Sequence, residues 1–130
     1  MQKMLLVFSG ISGAVAVVLG ALGAHALKVK LSAEAVSSFE TGVKYQFYHT
    51  IVLVLIALLL FKLESKFINW SAYCFIIGIA LFSGSIYLLS TKEITGIEWI
   101  WLGPVTPVGG LFFIAGWILL TAAALKFKNV

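Results

Sequence analysis

Four apolar runs, separated by short stretches that hold nearly all the charge, organise this chain. The first carries no formal charge from Met4 to Leu27. The second has 17 uncharged residues between Lys44 and Lys62, the third runs from about Phe67 to Leu89, and the fourth ends at Lys126. At 1.5 Å per residue, about 20 apolar residues cross the hydrocarbon core of a bilayer. The pattern therefore predicts an all-α integral membrane protein, a four-transmembrane-helix bundle in one domain covering 1–130, with spans at about 4–27, 45–61, 67–89 and 107–126.

The start of the fourth span is set by proline. In WIWLGPVTPVGG, Pro104 and Pro107 do not both fit inside an unbroken helix. The reading places Thr106 at the N-cap and Pro107 at the first helical position, where a missing N–H costs nothing. Trp99 and Trp101 precede it and Trp70 opens the third span, at the headgroup level that indoles favour. Between the first two spans, Ala35, Val36, Phe39 and Val43 recur at helical spacing after Ser32, a fitting N-cap. That spacing predicts a short amphipathic interfacial helix over about 32–44, lying on the membrane with its apolar side down.

Composition supports the membrane reading. The chain is 62% hydrophobic and 11% charged, with a mean hydropathy of +1.10; a soluble surface usually needs about 25% charged residues. The nine lysines, with no arginine, punctuate the apolar runs instead of gathering on one face, which argues against nucleic acid as a partner. Cys74 is the single cysteine, so no internal disulfide and no CxxC-type metal site form. Lys3 followed by an apolar core and Ala24-His25-Ala26 imitates a signal peptide, but the core is near 20 residues, beyond the usual range of about 7–15. Lys3, Lys62, Lys66, Lys126 and Lys128 fall on one side of the bilayer and Lys28, Lys30, Lys44 and Lys92 on the other. By the positive-inside rule, five against four places both termini in the cytoplasm.

Within lipid, close packing through small residues contributes more than burial of oily area. Ser9, Gly13, Ala16, Gly20 and Ala24 form a small-residue stripe on the first span; Gly84, Gly109 and Gly110 are further packing candidates on the third and fourth. The same stripe could join two copies, so a homo-oligomer stays open. The second span, with IVLVLIALLL and no glycine after Gly42, is expected to be the most lipid-facing.

Four crossings put the first and third loops on one side. The span ends that meet there carry His25, Tyr45, Gln46, His49, Ser83, Ser85, Tyr87 and Thr106, a candidate polar layer for packing or a solute. Counted from Lys28 and Lys44, His25 and His49 sit about 4–5 and 7–8 Å inward, near the interface. Two histidines are an incomplete set for zinc, and bis-histidine haem sites usually lie deeper; no metal and no cofactor is assigned. An ionisable group in a span is a suspect for proton or solute transfer, yet the chain has no Asp and no Glu inside a span. The expected role is interhelix hydrogen bonding, with transport as the runner-up.

GALGAHALK, FETGVKYQFYH, LFSGSIYLL and the TPVGG-to-GW stretch from Thr106 to Trp117 closely resemble the domain-of-unknown-function 423 family, and the transmembrane protein 256 family of eukaryotes is similar. The resemblance covers nearly the whole chain in order. It implies a four-helix protein of the bacterial plasma (inner) membrane and brings no enzyme activity and no catalytic residues to carry over. With no nucleophile–base set and no phosphate loop, the expectation is a non-enzymatic structural or accessory protein, with lipid, itself or a larger membrane complex as partner.

Overall fold

The computed structural model describes residues 1–127; Lys128, counted above among the lysines of the terminal side, lies outside them. Four long helices follow the apolar runs. Helix α1 spans Gln2–Leu22 and continues through a π-helical turn, Gly23–Leu27. Helix α2 spans Ala33–Leu59. Helix α3 comprises Lys66–Gly78, a π-helical turn at Ile79–Ser83 and Gly84–Ser90. Helix α4 spans Val105–Lys126. All four are long and apolar enough to cross a membrane. The last connection holds single turns at Lys92–Thr95 and Ile100–Leu102; the first ends at Gly96, whose φ of 69° is the left-handed conformation that glycine adopts freely.

The expected interfacial helix over 32–44 is corrected. Ser32 does cap a helix, its hydroxyl accepting from the Ala35 N–H at 3.3 Å, but that helix runs unbroken to Leu59. Nothing in between stops it: Gly42 costs only about 1 kcal/mol in a helix interior, and exposed Lys44 carries its charge on a stem long enough to reach the interface. Val36 and Phe39 are buried within the protein, the Phe39 ring centroid standing 5.0 Å from that of Tyr87 on α3. At 27 residues α2 is about 40 Å long, so its first turns project beyond a core of about 30 Å.

The start of the fourth helix also differs, by two residues. Pro104 takes the N-cap position and Val105 leads the helix, leaving Thr106 inside the first turn. Pro107 still sits among residues whose N–H groups have no intrahelical partner, so its ring is accommodated.

The helices pack as two hairpins, α1 on α2 and α3 on α4, docked through α2 and α3. Glycines set the closest approaches. A Cβ on Gly109 would strike the backbone of Phe82, 2.8 Å from its Cα, so α3 and α4 cross almost in backbone contact. Gly116 is covered by the Phe75 ring and Gly78 by that of Phe113. On the other hairpin, Gly13 and Gly20 face Thr50 and Val43 of α2 at ordinary van der Waals distances. Gly110 touches only the edge of Phe82, Gly84 meets nothing within 4 Å, and Ala24 is exposed, so the last two take no part in packing here.

The lipid-facing expectation is reversed. The most apolar stretches of α2 and α3 are each 39% buried, against 22% for α1 and α4. Leu53, Ile56 and Ala57 of α2 join Leu5, Ile68, Ala72 and Phe75 in the core. Lipid and protein interior are about equally apolar, so an oily sequence alone does not say which one a helix faces.

Candidate functional site: a polar tier inside the bundle

The unbroken α2 moves His49 away from the rim. It lies ten residues from Leu59, about 15 Å along the axis, near the middle of the span. Its ring is 5% exposed and stacks on Phe113 of α4, with centroids 3.6 Å apart and planes within 6°. Phe75 and Trp117 close the other sides, with centroids at 5.3 and 6.3 Å. The Nδ1–H donates to the Tyr45 carbonyl at 2.7 Å, and Nε2 accepts from the Trp117 indole N–H at 3.4 Å. Both ring nitrogens are thus engaged by protein, an arrangement served by the neutral Nδ1–H tautomer.

One turn before His49 on α2, Gln46 ties three helices together. Its Nε2 donates to the Ser12 carbonyl of α1 at 2.9 Å, and its Oε1 accepts from the Tyr87 hydroxyl of α3 at 2.7 Å. These two partners fix which way the amide points. Ser12 and Thr50 share a hydroxyl–hydroxyl bond of 2.7 Å one turn further along. Ser83, fully buried, donates to the Gly42 carbonyl at 2.7 Å, joining α3 to α2. Ser85 and Thr106 join α3 to α4 through a 2.6 Å hydroxyl pair, and Ser71 donates to the Gly116 carbonyl at 2.8 Å.

The sequence-derived layer is therefore only partly one assembly. Gln46 and Tyr87 meet, as do Ser85 and Thr106; Tyr45 is 40% exposed and packs its ring on Phe82, with centroids 4.6 Å apart. His25 does not join them: it is exposed on the π turn that ends α1, whereas His49 is buried deep between α2, α3 and α4. The two imidazoles do not share a rim, because α2 begins three turns before Lys44. The middle of the bundle is polar as well: Ser12, Gln46, His49 and Thr50 are buried there. Ser12, Thr50 and Trp117 were not among the candidate site residues. Trp117 had a readable signal, since an indole N–H within a membrane span finds no water and needs an acceptor. Among the described residues the buried side-chain atoms left without a partner are Ser9 Oγ and Asn69 Oδ1, and no group of three or more His, Cys, Asp or Glu gathers to hold a metal.

The family of proteins of unknown function DUF423 matches residues 19–110. The chain belongs to this family. The DUF423 match takes in the end of α1, all of α2 and α3 and the start of α4, the segments that carry most of the ties above. Relatives extend the likeness to full length. A UPF0382 membrane protein of Haemophilus influenzae is 39% identical over 130 residues, covering 100% of both chains. The UPF0382 membrane protein SH2409 of Staphylococcus haemolyticus is 37% identical over 97% of this chain and 98% of its own. The UPF0382 inner membrane protein YgdD of Escherichia coli is 36% identical over 98% of this chain and 94% of its own. No solved structure matches the chain. Four apolar helices of spanning length and relatives named as membrane proteins make this DUF423 member an all-helical, multi-pass membrane protein of the bacterial type.

Proposed function

We propose that this chain is a non-enzymatic component of the bacterial inner membrane that acts through contact, with lipid or as an accessory subunit of a larger complex. The observation that carries the reading is the engagement of His49. An imidazole that serves a proton or solute path needs a ring nitrogen free to meet water or cargo, and both nitrogens here are held by Tyr45 and Trp117. Gln46 and Ser83 are held in the same way by groups on neighbouring helices. Interhelix bonds of this kind contribute about 0.6 kcal/mol each on average, and up to about 1.7 kcal/mol. They set helix register more than they set total stability.

The test compares His49→Ala and Ser83→Ala with the parent chain in liposomes. The contact reading expects lowered thermal stability in both variants and unchanged proton or solute permeability. A parent chain that conducts, together with variants that keep their stability and lose conduction, would establish the transport alternative.

A further inference from the structure

Past Leu59 the chain does not leave α2 at once. The N–H groups of Phe61 and Lys62 donate to the carbonyls of Leu58 and Leu59 at 3.2 and 3.0 Å, and that of Leu63 donates to Leu59 at 2.9 Å. The added turn sets Lys62 and Leu63 at the end of a hollow of about 580 Å³, lined otherwise by Leu55, Leu58 and Leu59. Leu55 and Leu58 are more than half exposed, so the hollow opens outward to lipid and not into the bundle. From Lys62 back to Leu55 is seven residues, about 10 Å along the axis. The cation lies at the membrane surface and the leucines run inward from it. Charge on this side of the bilayer is lopsided. Lys3, Lys62, Lys66 and Lys126 stand against Glu64, its only carboxylate among the described residues, and the Met1 amino group adds to the excess. Glu64 lines a separate cavity that Met1 and Lys66 also line. On the opposite side Lys28, Lys30, Lys44 and Lys92 are balanced by Glu34, Glu40, Glu93 and Glu98.

We infer that the hollow seats one anionic phospholipid, its phosphate at Lys62 and an acyl chain along Leu55, Leu58, Leu59 and Leu63. The ammonium of Lys62 draws phosphate through charge-assisted hydrogen bonds, and a lining that is otherwise leucine matches hydrocarbon. A head that carries its own ammonium is disfavoured. It would bring a like charge beside Lys62, on a face with an excess of lysine and with no carboxylate in the hollow to hold it. Charge complementarity therefore selects heads of the phosphatidylglycerol kind over those of ethanolamine and choline. This deepens the contact reading above, on which it rests, by naming one class of lipid as partner.

The experiment uses the full chain in vesicles of equimolar phosphatidylglycerol, phosphatidylethanolamine and phosphatidylcholine with matched acyl chains, followed by mild detergent extraction and native mass spectrometry. The expected result is a one-to-one adduct enriched at least about threefold in phosphatidylglycerol. Lys62→Gln should remove the preference, whereas Lys3→Gln, on the same side but outside the hollow, should keep it. Leu58→Trp, at an exposed position, fills the hollow and should lower the total lipid retained while the circular dichroism stays helical. Retention in proportion to the three lipids supplied overturns the seat. Equal loss of preference in Lys3→Gln and Lys62→Gln also overturns it, by assigning the preference to the charge of the whole face. A lipid-free dimer that Leu58→Trp splits would give the hollow to a second copy and overturn it too. Each of these results leaves the contact reading standing. His49-dependent flux in the same vesicles would overturn that reading and this inference with it.

Discussion

Glu93 closes over the start of α2: one carboxylate oxygen accepts from the Ser32 backbone N–H and the other from the Ser32 hydroxyl, each at 2.9 Å. A carboxylate at a helix N-terminus meets unpaired N–H groups and the positive end of the helix dipole. Here it comes from the far connection, after α3. The bond therefore fastens the first and third connections to each other on one membrane face.

This contact predicts a labelling pattern. In a Cys74→Ser background, Lys30→Cys and Lys92→Cys should react with a membrane-impermeant thiol reagent from the same side of sealed vesicles. Reaction from opposite sides would remove the four-crossing topology.

Ser32→Ala loses both the cap to Ala35 and the hydroxyl partner of Glu93, and should cost about 1 kcal/mol. Thermal unfolding in a mild detergent checks it. Glu93→Ala should cost no more than this, because Ser32 still caps the helix.

Two glycines one helix apart should behave oppositely. Gly109→Ala sets a methyl against the Phe82 backbone and should destabilise by about 1–3 kcal/mol or block folding. Gly84→Ala meets open space inside α3 and should leave stability unchanged or raise it, by up to about 1 kcal/mol. Melting temperatures of the pair measure the α3–α4 crossing directly.

Gln46→Leu removes one tie within its own hairpin, to Ser12, and one to the other hairpin, and strands the Tyr87 hydroxyl. We expect a loss of about 1–2 kcal/mol. Adding Tyr87→Phe should cost less in the Gln46→Leu background than in the parent, since the stranded hydroxyl is then gone. Simple additivity in that cycle would show the two side chains to be independent.

The four spans were legible because length and charge-free runs decide them, and Ser32 was legible as a cap. What failed was the inference from Lys44 that the second span begins there. A lysine marks where an ammonium can reach water, not where a helix starts; α2 had already made three turns. That single displacement put His49 at the rim beside His25 on paper, when it is buried against Phe113 instead. The IVLVLIALLL run misled for a different reason, as Leu53 and Ile56 face protein and Leu55 and Leu58 face outward within the same stretch. Among the glycines, sequence could not separate Gly109 from Gly84, because the distinction lies in which face of α3 or α4 meets another backbone.

The central claim is that His49 is a helix tie with both nitrogens held by protein. Solid-state nitrogen-15 spectroscopy of the histidine-labelled chain in lipid at neutral pH tests it most directly. The account predicts a neutral His49 ring protonated at Nδ1, an unprotonated Nε2 in through-space contact with the Trp117 indole, and no magnetisation transfer from water. An Nε2–H ring, or a strong water contact at either nitrogen, would contradict it.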